Sequence, residues 1–446
     1  MSEIFKAYDI RGIYPSQLNE DTVYKIGKAY ADMIGKGKKL VVGMDMRLSS
    51  PVLKEAIIKG ITEQGVDVID IDLASTPTFY FAVSKLQADG GMQISASHNP
   101  KEYNGVKIVG KNSYPVSYDT GINKIKEKVE NNDFLEVNGE GQVETYNDIL
   151  YEELEFSLKQ ADINKIKNLR VVADTANSMG APDLSALFDK LSCELIKMNF
   201  ELDGTFPAHQ ADPYQEKNIV DLKKKVLEEK ADLGIATDGD GDRIFFIDNE
   251  GELVDPAIIR GILAKIYLKE NPGATICYDI RPGKITYDMI IENGGKPSMT
   301  KVGHSLIKAQ GIEEGAVFAG ESSGHFFIKT EYGFYEMPMI VTLKILIELS
   351  ESGKTFSEYI KPLKRYYHSG EINSEVEDKE AKMNELIEKY KDGKLSKLDG
   401  ISIEYDDWWF NVRASNTEPK LRLNLEAVNE KIMKQKRDEV ISIIRS

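Results

Sequence analysis

The stretch GIATDGDGDRIFF, residues 234–246, sets three carboxylates, Asp238, Asp240 and Asp242, at alternate positions directly after an apolar run. The chain already carries a formal net charge of −16, so this crowding needs a compensating cation. An EF-hand loop would require Gly at its sixth position and Glu at its twelfth, where this sequence has Arg243 and Asn249. Alternate residues of an extended strand stand about 6.6–7 Å apart, whereas Mg²⁺ takes oxygens at about 2.1 Å. The backbone must therefore curl, with Gly239 and Gly241 expected to supply permissive φ angles. A divalent metal on these three aspartates relieves their mutual repulsion, and Arg243 beside it suits a further anionic oxygen.

Three other loops carry chemical side chains. SASHNP (95–100) offers a hydroxyl, an imidazole and an amide, and Pro100 steers Asn99 away from helix. Neighbouring side chains on extended backbone point apart, so His98 is expected to be a poor base for Ser97. A phosphate on Ser97 would add about −1.5 to −2 charge and oxygen ligands to the metal shell. GESSGH (320–325) matches a nucleophile-elbow pattern formally, but the β-like HFFIKTEYGF that follows is not the helix such an elbow needs. Its Glu321, Ser323 and His325 recur on alternate residues and suit sugar hydroxyls. RASNTEP (413–419) gathers Arg413, Ser415, Asn416 and Thr417, a set suited to phosphate.

The elements that must position these loops repeat. VVGMDMR (41–47), VVADTAN (171–177) and ICYDIRP (276–282) are apolar strands ending in aspartate, each followed by a helical stretch and two further strands. The chemical loops follow the third strand each time, where ligands bind in open α/β sheets. The polar segments 131–148 and 247–256 read as hinges, with a helix beginning near Pro256. The fold class is therefore α/β: three related α/β domains plus a C-terminal α+β domain around a central active-site cleft. The boundaries fall at 1–144, 145–249, 250–362 and 363–446. At least one of Trp408 and Trp409 should pack in the last domain's core.

At 446 residues, with 41% hydrophobic and 29% charged residues, the chain is an ordinary globular protein of roughly three or four domains. Its acidity argues against nucleic acid, and Lys223–Lys225 alternate with acids as a solvated helix face does. No long apolar run or leader pattern marks a membrane or secreted protein. Cys193 and Cys277 are expected to be buried free thiols in a reducing cytoplasm.

Together these motifs resemble the α-D-phosphohexomutase family, in its phosphomannomutase/phosphoglucomutase branch. AYDIRG, SASHNP, YNGVKI, DGTFP, DGDGDR, VGHSLIK, GESSGH and RASNTEP occur in order along the whole chain, and YDIRG resembles the mannose/glucose branch more than the glucosamine one. The resemblance implies that Ser97 is a phosphoserine and that Asp238, Asp240 and Asp242 hold Mg²⁺ with its phosphate. It implies interconversion of hexose 6- and 1-phosphates through a hexose 1,6-bisphosphate, which also serves as activator. Arg11, Lys107, Arg243 and Arg281 are then placed near the reacting phosphate, with Tyr8, His98 and His304 lining the cleft. Lys107 and His325 become the general base and acid. Glu321 and Ser323 contact sugar hydroxyls, and Arg413, Ser415, Asn416 and Thr417 grip the other phosphate. The expected partner is a small phosphosugar, with neither nucleic acid nor membrane, for a cytoplasmic monomer or weak homodimer. Two departures, Ser322 and YGFYEMPM (332–339), bear on sugar preference. The rival activities are a phosphoglucosamine mutase and a metal-dependent sugar-phosphate phosphohydrolase; a silent sugar-phosphate-binding protein is the non-enzymatic rival.

Overall fold

The computed structural model describes residues 2–414 and 420–446. The chain divides into two compact units, Met1–Val254 with Ser323–Tyr359, and Asp255–Ser322 with Ile360–Ser446.

The first unit contains two sheets. In the six-stranded one the central strand Lys39–Met44 runs parallel to Asp67–Leu73 on one side and Gly90–Ile94 on the other. Tyr103–Gly110 and Ile10–Ile13 extend it antiparallel, and Val143–Thr145 closes the far edge beside Asp67–Leu73. Part of the 131–148 segment, read above as a hinge, is thus an edge strand. The second sheet repeats the plan: Arg170–Asp174 lies between Glu194–Met198 and Leu233–Thr237, and Ile244–Asp248 pairs antiparallel with the latter. The hairpin Phe326–Thr330/Gly333–Glu336 and the helix Pro338–Ser352 complete this unit.

In the second unit Thr275–Asp279 is flanked by Lys296–Thr300 and Phe318–Gly320, both parallel to it. The same order, second strand–first strand–third strand, therefore occurs three times. It puts a switch point between first and third strands, and the crevice at their carboxyl ends is the ligand site of such sheets. Residues such as Val41, Val42, Val171, Val172, Ile276 and Cys277 are wholly buried, as parallel strands covered on both faces require. The helix Pro256–Glu270 starts at the expected proline, its Asp255 side chain capping the Ala257 amide.

The rest of the second unit is an antiparallel sheet, Tyr367–His368, Lys420–Ala427, Trp408–Ala414, Ile401–Glu404 and Lys394–Ser396 in order, with Ile372–Glu375 also paired to Lys420–Ala427. Trp408 is buried and stacks on Tyr405 with centroids 4.9 Å apart, while Trp409 is half-buried and donates its indole N–H to Glu426 Oε2 at 2.8 Å. Cys277 is buried, but Cys193 is only partly so: it precedes the strand Glu194–Met198 rather than lying in it. Among the described residues no helix is long and apolar enough to cross a membrane.

Trp408→Ala removes the centre of an aromatic cluster and should cost about 3–5 kcal/mol. The chain's two tryptophans both lie in this sheet. Urea unfolding followed by Trp409 fluorescence should show an earlier midpoint at unchanged slope.

Candidate active site

In the first unit two strand ends bring their loops together. Ser97, on the turn after Gly90–Ile94, has φ +49°, the left-handed region that costs a non-glycine residue on the order of 1–2 kcal/mol. Its Oγ donates to Asp238 Oδ2 at 2.7 Å and lies 3.2 Å from His98 Nδ1. The expectation that His98 points away fails because the turn is left-handed, not extended. Burial first, with Arg243 and Arg11 next, pushes His98 well below its usual pKa, so its ring is neutral.

The acidic loop does curl, for two different reasons. Gly241 takes φ +76°. Gly239 does not need a positive φ, contrary to the expectation above; a Cβ there would stand 2.2 Å from the Ser97 carbonyl oxygen, so only glycine admits this approach. Asp238, Asp240 and Asp242 are all buried, and one carboxylate oxygen from each lies within 4.8 Å of the other two. Opposite ligands of an octahedral Mg²⁺ stand about 4.2 Å apart, so small side-chain shifts suffice to coordinate it. Asp240 Oδ1 and Asp242 Oδ1 are buried without a hydrogen-bond partner among the described residues. Asp242 Oδ1 is 3.3 Å from His325 Nε2, near enough for charge attraction but not aligned for a hydrogen bond. Oxygen-only donors, crowded negative charge and these orphaned atoms fit a hard divalent cation.

Several groups partly offset that charge. Lys107, on the strand Tyr103–Gly110, reaches Asp240 Oδ2 at 2.5 Å and Asp242 Oδ2 at 2.6 Å. Burial would lower its pKa, but Asp240 and Asp242 outweigh that and hold it well above the usual value, so it is an ammonium here. Burial would raise Asp242, yet Lys107 and then His325 keep it well below the carboxylate range. Asp238 goes the other way: burial, then Asp242 and Asp240, push it up to about 8. Arg243 donates its backbone N–H to Asp238 Oδ1 at 3.1 Å and its Nε to His325 Nε2 at 3.4 Å. His325 Nδ1 meets Ser323 Oγ at 3.0 Å. Arg11 bridges Asn99 Oδ1 and Asp9 Oδ2, each at 2.5 Å, and Tyr8 is half-buried just before it.

In the second unit Arg281 pairs with Asp279 and lies 3.5 Å from Glu321 Oε1, which accepts the Gly303 amide at 2.9 Å. His304 opens the next helix, His304–Glu313. Arg413 donates to Glu371 Oε2 at 2.5 Å; burial would raise Glu371, but Arg413 first, then Arg422 and Arg281, lower it. These arginines therefore share one electrostatic neighbourhood. Ser415, Asn416 and Thr417 lie outside the described residues.

Sequence reasoning missed several contributors. Thr76 Oγ1 donates to Asp240 Oδ2 at 2.5 Å, and the Thr76 amide to the Asp240 carbonyl at 2.9 Å. Buried Glu336 has a carboxylate oxygen within 4.8 Å of donor atoms of both Asp242 and His325. Arg47 and Gln210 grip the Ser97 loop from behind. The only signal for Glu336 was its place in the divergent stretch 332–339.

Four family models match the chain in order: the phosphoglucomutase/phosphomannomutase alpha/beta/alpha domains I, II and III over residues 2–136, 144–251 and 255–366, and the C-terminal domain over 371–443. A phosphomannomutase of Vibrio cholerae is 37% identical over 99% of this chain and 98% of its own length. One from Methanocaldococcus jannaschii is 39% identical over 99% and 97%. The crystal structure of a phosphoglucomutase/phosphomannomutase family protein from Burkholderia thailandensis superposes with a TM-score of 0.90 at 31% identity, covering 99% of this chain and 97% of its own.

Asp238 titrates at about 8 folded against 3.8 unfolded, so the folded metal-free protein holds that proton between the two values. Its contribution to stability is complete below about pH 4 and is lost as pH rises through about 8. A divalent ion must displace the proton. Calorimetry should show Mg²⁺ at 100 times Kd adding about 2.7 kcal/mol, relative to the metal-free protein at the same pH. At fixed Mg²⁺ the rise in Tm should be larger at pH 8.5 than at pH 6, and equal rises would contradict this ionisation.

Proposed function

The chain belongs to the phosphoglucomutase/phosphomannomutase family, and from that premise we propose how its residues divide the work. It is an intramolecular phosphotransferase that interconverts hexose 6-phosphate and hexose 1-phosphate. Mannose and glucose phosphates are the proposed substrates, because the groups assigned to the sugar contact hydroxyls the two epimers share.

Ser97 is the proposed phosphoryl carrier. Its Oγ–P bond breaks as a new P–O bond forms to the free sugar hydroxyl; that hydroxyl gives up its proton and Ser97 regains one. The hexose 1,6-bisphosphate then turns end for end, and its other phosphate returns to Ser97 by the reverse step. Lys107 is already an ammonium, so it is assigned the proton returned to Ser97 Oγ and not the base role expected above; His325 is assigned the proton taken from the sugar hydroxyl. Arg11 and Arg243 hold the equatorial oxygens of the transferring group. Mg²⁺, held by Asp238, Asp240 and Asp242, would supply charge neutralisation at the same group. Arg281, His304 and Glu321 with Tyr8, His98 and Ser323 are assigned to the sugar and its phosphates, and Arg413 with Ser415, Asn416 and Thr417 to the non-reacting phosphate. The single observation that carries this reading is the 2.7 Å hydrogen bond from Ser97 Oγ into the carboxylate trio. The four-domain division and a cytoplasmic location, in keeping with two free thiols, belong to the same proposal.

In a coupled assay with catalytic hexose 1,6-bisphosphate, mannose 1-phosphate and glucose 1-phosphate should both turn over, and glucosamine 1-phosphate far more slowly. Ser97→Ala should abolish turnover and the single-phosphate increment in intact mass; undiminished turnover would rule out the serine carrier. Arg413→Ala should raise KM about tenfold or more, the worth of a charged hydrogen bond, with little change in kcat.

A further inference from the structure

Behind the Ser97 turn sits the fully buried side chain of Arg47. Its Nη1 donates to the carbonyls of Pro100 at 2.7 Å and Tyr103 at 2.9 Å, its Nη2 to those of Ser97 at 2.8 Å and Asn99 at 2.7 Å. Nε reaches Asp45 Oδ2 at 3.2 Å. An arginine has five N–H donors in a rigid plane, and all five are used. Four of them hold carbonyls along one loop, beginning with that of Ser97, the residue in left-handed backbone.

The DGTFPAHQ segment, which the chemistry above leaves without a role, closes over this arrangement. Phe206 lays its ring 5.0 Å from the Arg47 guanidinium carbon. Gly204 abuts the same stretch so closely that a Cβ would stand 2.7 Å from the Met46 carbonyl oxygen and the Leu48 amide. Gln210 Nε2 donates to the His98 carbonyl at 2.9 Å. With Arg47 behind the loop and Gln210 on it, the carbonyls of Ser97, His98, Asn99 and Pro100 are all tied.

We propose that Arg47, clamped by Phe206 and assisted by Gln210, is a positioning residue for phosphoryl transfer: it fixes the left-handed turn that aims Ser97 Oγ at Asp238. This rests on the reading of Ser97 as the phosphoryl carrier. Arg47 is fully buried and holds the Ser97 loop only through backbone carbonyls, so its effect falls on the alignment of the reacting oxygen and not on affinity. A lysine, with three donors and no plane, cannot hold four carbonyls at once.

The test compares Arg47→Lys, Phe206→Leu and Gln210→Ala with the wild type, at a temperature well below each Tm and with rates normalised to folded protein. A misplacement of about 1 Å costs on the order of 10²-fold in rate. Arg47→Lys should therefore lower kcat on the order of 10²-fold, with KM for mannose 1-phosphate held within about threefold, and transfer from Ser97 should slow in step with kcat. Phe206→Leu and Gln210→Ala should give smaller losses of the same kind. A kcat for Arg47→Lys within about twofold of wild type, or losses carried in KM, would overturn the proposal. If Arg47→Lys does not fold, the other two decide, and wild-type kcat in both overturns it. Absence of phosphate on wild-type Ser97 during turnover would instead overturn the carrier reading, leaving the two failures distinguishable.

Discussion

Three buried carboxylates at the end of one strand are the constraint on which the rest of the site depends. Asp238, Asp240 and Asp242 are each within 1% of full burial, yet among the described residues Lys107 is the one ammonium bonded to them, with the Arg243 guanidinium no nearer than 3.8 Å to Asp238 Oδ2. The imbalance shows in opposite ionisation tendencies: Asp242, beside Lys107 and His325, is held ionised, whereas Asp238 is driven toward its neutral form. A buried group that must keep its proton at neutral pH, next to carboxylate oxygens with no hydrogen bond, describes a site short of positive charge. A divalent cation would correct that shortage, and the dianionic phosphate proposed for Ser97 would then become tolerable beside three acids.

The fold supplies this arrangement through a repeated strand order. Each α/β repeat puts its first strand in the middle and its third beside it, so the loop after the third strand projects from the switch point. In the first unit two such loops meet, one bearing the hydroxyl and one the acids. Gly239 allows the contact, since any side chain there would collide with the Ser97 carbonyl. The second unit, by itself, holds a cationic set: Arg281, Arg413 and Arg422 act on Glu371, a neighbourhood suited to an anionic ligand.

Much of the site was legible in the residue order, because metal and phosphate chemistry demands short, unusual strings. Asp238, Asp240 and Asp242 stand at a spacing that a solvated turn does not need, and the strand–helix–strand–strand repeat could be read from aspartate-terminated apolar runs. What escaped was whatever depends on contacts distant in sequence. Nothing in VVGMDMR says that Arg47 will turn inward and bind four carbonyls some fifty residues on. The His98 orientation escaped because a left-handed φ at Ser97 is imposed by surroundings, not by serine's own preference. Gly239 was recognised for the wrong property: its need is room, not rotation. Cys193 was misjudged by a single position, sitting just before its strand instead of within it.

The most direct measurement follows the phosphoryl group itself. Enzyme carrying labelled phosphate on Ser97 is mixed with excess unlabelled mannose 1-phosphate and quenched within one turnover. The label should leave the protein and appear at position 6 of the sugar bisphosphate or product at a rate no slower than kcat. Label that stays on the protein while unlabelled product accumulates would contradict the account.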